Sequence, residues 1–103
     1  MFFPTERPLA VLSVPAQIWV NEGDSVTLSC EVKSSTAGWR FLWYRADSAA
    51  KHTLVYSNGG SFTITPAVLY HTGLYMCRAE RGEPAYYTKY SELQPLWVTG
   101  ELQ

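Results

Sequence analysis

The chain has 103 residues, which fits one domain and is too short for two ordinary ones. Hydrophobic residues make up 47% of it, enough to build a core, and the formal net charge is only -1. That balance supplies no basic field, so nucleic acid and anionic membrane are not expected as partners. No apolar run approaches the roughly 20 residues that a membrane span needs, so direct membrane insertion is not expected either. Met1-Phe2-Phe3-Pro4 is too short for a secretory leader and lacks a basic start. Met1 therefore reads as an added start on a domain cut from a longer chain.

Apolar and polar residues alternate in short runs separated by turn residues, which is the all-β pattern. Leu9 to Val14 predicts a first strand. Pro15 interrupts it, as suits an edge strand that crosses from one sheet to another, and Gln17 to Val20 continues it. After the turn Asn21-Glu22-Gly23-Asp24, the side chains of Val26, Leu28, Cys30 and Val32 share one face. Thr27, Ser29 and Glu31 share the other. Lys33 to Gly38 is a polar loop. Phe41 and Trp43 then point inward, with Leu42 and Tyr44 outward. A loop at Ala46 to Lys51 leads to a short strand over His52 to Tyr56 and a turn at Ser57-Asn58-Gly59-Gly60. Phe62 and Ile64 mark the next strand, Pro66 to Gly73 a corner, and Leu74 to Glu80 the strand after it. Arg81-Gly82-Glu83-Pro84 is a loop, and Tyr86 to Thr99 reads as one long final strand with a bulge at Pro95. The folded unit is expected over residues 7–100, with 1–6 and 101–103 as flanking segments.

Cys30, Trp43 and the string Gly73-Leu74-Tyr75-Met76-Cys77 form one constellation. It resembles the immunoglobulin sandwich, in which two cysteines bridge facing sheets and a tryptophan packs on the bridge. There a tyrosine two residues before the second cysteine pins the preceding corner. The resemblance implies a Cys30–Cys77 disulfide with Trp43 and Tyr75 as core signature residues, and an oxidising, extracellular setting. Two buried free thiols in a cytosolic domain are the alternative. Only residues 45–60 separate Tyr44 from the Phe62 strand, too few for the extra hairpin of a variable-type domain, so the C2 or I-type class is expected.

Gly38-Trp39-Arg40-Phe41-Leu42-Trp43-Tyr44-Arg45, Gly60-Ser61-Phe62-Thr63-Ile64, and Ala67-x-Leu69 before Gly73-x-Tyr75-x-Cys77-Arg78 resemble Fc receptor ectodomains. Within that group the likeness is to Fc receptor-like proteins and to the leukocyte immune-type receptors of bony fish. It implies an ectodomain of a plasma-membrane immune receptor with sister Ig domains, binding a protein ligand such as an immunoglobulin or another immune surface protein. The family usually carries Asp-Ser at the corner where this chain has His71-Thr72, which removes the acid of an ion pair across the sandwich floor.

Nothing in the sequence meets the requirements of catalysis. His52 and His71 have no cysteine or carboxylate at metal-ligand spacing, no serine sits in a nucleophile elbow, and phosphate-loop glycines are absent. No enzyme activity, metal or cofactor is expected. Ligand contacts are expected instead on the outer sheet face and the adjoining loop end: Tyr44, Arg78, Arg81, Glu83, Tyr86, Tyr87 and Trp39. Tyrosine and arginine are enriched at interfaces. The parity of Trp39 with Phe41 and Trp43 favours a lid over the core, with an exposed anchor as its other reading. Neither Asn21 nor Asn58 lies in a glycosylation sequon, so no N-glycan shields a face. A structural or homophilic adhesion role is the alternative to ligand recognition.

Overall fold

The computed structural model describes residues 8–13, 19–33, 38–46, 51–57 and 59–100. Nine strands occur among them: β1 (Ala10–Ser13), β2 (Trp19–Asn21), β3 (Val26–Val32), β4 (Arg40–Ala46), β5 (Lys51–Ser57), β6 (Ser61–Ile64), β7 (Gly73–Arg81), β8 (Tyr86–Tyr87) and β9 (Gln94–Thr99). One sheet has the order β1-β3-β6. The other runs β2-β9-β7-β4-β5, with β8 also paired to β7. The chain thus changes sheets between β1 and β2, which pairs in parallel with β9. Val14, Pro15 and Gln17, to which the crossing was assigned, lie outside the described residues. So do 1–7, 34–37, 47–50, Asn58 and 101–103.

Alternation in β3 buries Val26, Leu28 and Cys30 and exposes Ser29 and Glu31, as a strand with one solvated face requires. Cys30 is bonded to Cys77 of β7 across the sandwich, with the two Cα atoms 6.4 Å apart. Trp43 lies opposite Cys77 in the β4–β7 register and stacks on Phe62 at 5.5 Å. Its buried Nε1 has no hydrogen-bond partner among the described residues, so the indole serves as an apolar plate. Leu96, Val98, Ile64 and Ala67 complete the core. Gly60 lets β6 approach β3: a Cβ there would collide with the Cys30 carbonyl, while the Cys30 N–H donates to Gly60 O at 2.7 Å.

The corner before β7 is a 3-10 turn, Leu69–His71. Val68 N–H donates to His71 Nδ1 at 3.0 Å. The Tyr75 hydroxyl donates to His71 O at 2.5 Å, closing the corner onto the core. Arg45 reaches the same corner, donating from Nη2 to Tyr70 O and, at 3.0 Å, to Thr72 O. Backbone carbonyls and the face of Tyr70, 4.3 Å away, thus receive the base in place of a carboxylate.

The final strand differs from the continuous one expected. It is broken into β8 and β9, and Pro95 lies inside β9 rather than at a bulge. Two hydroxyls explain the break. Ala79 N–H donates to Thr88 Oγ1 at 3.0 Å and Cys77 N–H to Ser91 Oγ at 2.9 Å, while Thr88 and Ser91 N–H donate to Ala79 O and Cys77 O. Side chains therefore complete the ladder along β7, and the segment between is free to turn outward. There Lys89 N–H donates to Pro8 O at 2.9 Å, and Ala10 N–H donates to Lys89 O.

Two outcomes follow from this core. Reducing the Cys30–Cys77 bridge lowers unfolding stability by about 2–5 kcal/mol, read from denaturant midpoints with and without reductant. Tyr75→Phe strips one partner from His71 O and costs about 1–3 kcal/mol by the same measurement. An unchanged midpoint would mean that solvent replaces the bond at no cost.

Candidate functional site

Strands β7 and β8 form a hairpin that pairs Glu80 with Tyr87 and Arg81 with Tyr86. Gly82, at φ +87°, supplies the left-handed conformation that the turn needs. Arg40, at the start of β4, braces it from below. Its Nε lies 3.3 Å from the buried Glu80 carboxylate, and its Nη2 donates to Gly82 O at 3.4 Å. Burying a carboxylate requires such a partner.

Two arginine–aromatic clusters stand on this frame. Arg78 on β7 has its guanidinium 4.1 Å from the Tyr87 ring centroid, 4.6 Å from Tyr90 and 5.7 Å from Tyr44. Its Nε also donates to the Tyr44 hydroxyl at 3.1 Å, and Tyr44 meets Tyr90 edge to face at 5.3 Å. Nearer the hairpin tip, Arg81 lies 5.5 Å from Trp39, which in turn faces Tyr86 at 6.4 Å. Cation–π contacts of this kind fix long side chains in one arrangement.

The expected surface residues are thus sorted into different settings. Tyr87 and Arg78 come together, and Tyr86, Arg81 and Trp39 come together. Glu83 is exposed in the turn and joins neither cluster. Tyr44 was expected to face outward to solvent, but it is only 5% exposed, because Arg78 and Tyr90 cover it. Its part is to support the outer residues from beneath. Trp39 was expected as a lid on the core. It is half-buried and packs instead with Arg81 and Tyr86, because it precedes β4 and is not held to that strand's parity. Tyr90 escaped the sequence reading. Counted along an unbroken strand it shares the face of Tyr86, whereas the break at Thr88–Ser91 sets it beside Tyr87.

A third feature lies toward the other end of the same sheet. Trp19 and Trp97, paired in register on β2 and β9, stack at 5.8 Å and stay 59% and 43% exposed.

The immunoglobulin-domain family model matches residues 9–80. The chain belongs to the immunoglobulin domain family. Mouse Fc receptor-like protein 5 is 29% identical over 77 residues, which is 74% of this chain and 13% of that protein. The chain therefore spans about an eighth of that relative's length. The second Ig-C2 domain of human Fc-receptor like A superposes with a TM-score of 0.67 at 23% identity, covering 95% of this chain and 100% of that one. A chain from a structure on T cell specificity and activation by the bacterial superantigen toxic shock syndrome toxin-1 gives a TM-score of 0.73 at 18% identity. That match covers 89% of this chain and 99% of the other. This immunoglobulin domain is thus similar in sequence to an Fc receptor-like protein and in fold to an Fc receptor-like Ig-C2 domain.

Electrostatics at the two buried tyrosines run in one direction. Burial pushes the Tyr44 hydroxyl above the ordinary 10.0, against the hydrogen bond and charge of Arg78, with Tyr90 adding to the rise. Burial likewise raises Tyr75, opposed by Arg45 and reinforced by Tyr70. The folded immunoglobulin domain thus holds these protons more tightly than the unfolded chain. Their contribution to stability is complete below about pH 10 and is lost as pH rises through the higher folded values. Denaturant midpoints measured from about pH 8 to about pH 12 should fall, and Tyr44→Phe should flatten the fall. A slope unchanged by Tyr44→Phe would assign the alkaline loss to other groups.

Proposed function

We propose that this domain is an extracellular recognition unit of a cell-surface immune receptor, gripping a protein ligand without catalysis. The contact surface is the β7–β8 hairpin tip with the adjoining outer face. The observation that carries the reading is the pair of arginine–aromatic clusters. Arg81, Trp39 and Tyr86 form one, and Arg78, Tyr87 and Tyr90 the other. Tyrosine, tryptophan and arginine dominate binding hot spots, and mutual stacking lowers the entropy they lose on contact. The opposite sheet presents Ser29, Glu31, Ser61 and Thr63, short or charged groups typical of a solvated face. An immunoglobulin is the first ligand to test, given the Fc receptor-like kinship.

The exposed Trp19–Trp97 stack favours a second reading, in which the domain packs through that edge on a sister domain or a second copy. Sedimentation separates the two, since a homodimer that ignores immunoglobulin supports adhesion.

With immobilised immunoglobulin or a ligand captured from plasma, Arg81→Ala and the double change Tyr86→Ala, Tyr87→Ala should weaken binding. At least one should do so by more than about 1 kcal/mol. Thr63→Ala should leave affinity unchanged. If Thr63→Ala abolishes binding and the hairpin variants do not, the ligand sits on the other sheet.

A further inference from the structure

β5 and β6 are the outer strands of their respective sheets, and on that side the sandwich is open. A cavity of about 370 Å³ lies there, lined by Arg45, Leu54, Phe62, Ile64, Tyr70 and His71, with Thr63, Thr65 and Tyr75. Its volume is at the lower end of the range for small-molecule sites, and its lining has their usual make-up of apolar wall and few polar groups. Phe62 is backed by Trp43, and Ile64 belongs to the core, so this part of the wall is firm.

The polar groups are unevenly used. Arg45 spends its Nη2 on the carbonyls of Tyr70 and Thr72. Its Nη1 and Nε make no hydrogen bond among the described residues, and no described carboxylate lies within ion-pair distance of it. A half-buried guanidinium held in place but not neutralised favours an anion. His71 adds a second donor. Its Nδ1 accepts from Val68 N–H, so in the neutral ring the proton sits on Nε2.

We propose that this cavity binds a small amphiphilic carboxylate, its head on Arg45 and His71 Nε2 and its apolar tail along Leu54, Phe62 and Ile64. Nη1 of Arg45 can donate to one carboxylate oxygen while His71 Nε2 donates to the other, and charge-assisted bonds of this kind are the stronger ones. With Arg45 the one arginine or lysine among the described lining residues, a cavity this small does not suit a nucleotide or a polyphosphate.

The test is titration of the isotope-labelled 103-residue chain with sodium octanoate, followed by amide resonances, with n-octanol as the neutral counterpart. Saturable shifts are expected at Leu54, Phe62, Ile64 and His71, with octanoate about tenfold tighter than octanol. Arg45→Gln should erase that preference. Because it also removes the bonds to Tyr70 and Thr72, Leu54→Trp serves as a second variant. Leu54 is 40% exposed and makes none of those bonds, so the tryptophan should fill the cavity and weaken octanoate about tenfold without lowering the melting temperature. The proposal is overturned if no saturable shift appears below octanoate's aggregation limit, or if acid and alcohol bind alike. It is equally overturned if binding survives both substitutions.

Discussion

The Cys30–Cys77 bond makes β7 the spine of the molecule. Its two Cα atoms are held 6.4 Å apart across the core, with Trp43 set beside the bridge from β4. Closing so long a loop restricts the unfolded chain by about 4 kcal/mol in the entropic account, a large share of a small domain's net stability. With β7 fixed from the inside, its outward residues become the organising points of the surface. Arg78 follows the bridged cysteine directly, and Glu80 and Arg81 carry the hairpin. The corner that feeds β7 is tied down twice, by the Tyr75 hydroxyl on His71 and by Arg45 on Tyr70 and Thr72.

Period and spacing made much of this legible. The inward set of β3 follows from a pattern that repeats every second residue, whereas the bridge, the tryptophan plate and the corner tyrosine follow from the resemblance to the immunoglobulin sandwich. The last strand was misread because alternation says nothing of which atom satisfies a backbone amide. Thr88 and Ser91 present hydroxyls where carbonyls would stand, and parity beyond that point no longer counts in twos. The same break hid Tyr90 from the candidate surface and left Tyr44 looking more exposed than it is. Trp39 was misplaced for a related reason, since a residue just ahead of a strand need not obey that strand's alternation.

The two arginine–aromatic clusters and the cavity by Arg45 are chemically alike and physically different. In the clusters the guanidinium lies over several rings, so its charge is spread over π faces and the surface offered to a partner is broad and stiff. Beside the cavity one ring and two carbonyls hold the guanidinium through Nη2, while Nη1 and Nε make no hydrogen bond among the described residues. Broad stiff surfaces suit protein partners, and recessed single donors suit a small anion. One fold thus sets two different arginine environments at opposite ends of the β4–β7 pair.

The hydroxyl clamps at Thr88 and Ser91 also separate the hairpin from the body of the fold. In an ordinary hairpin an added residue at the tip shifts the register of the whole returning strand, and a slip of one turns every inward side chain outward. Here the returning chain is re-anchored on Ala79 and Cys77 before β9 begins, so Leu96 and Val98 keep facing the core whatever the length of the turn. Insertions and deletions between Arg81 and Tyr86 are absorbed locally. The tip can therefore diversify in length as well as in composition, while the sandwich beneath it stays the same.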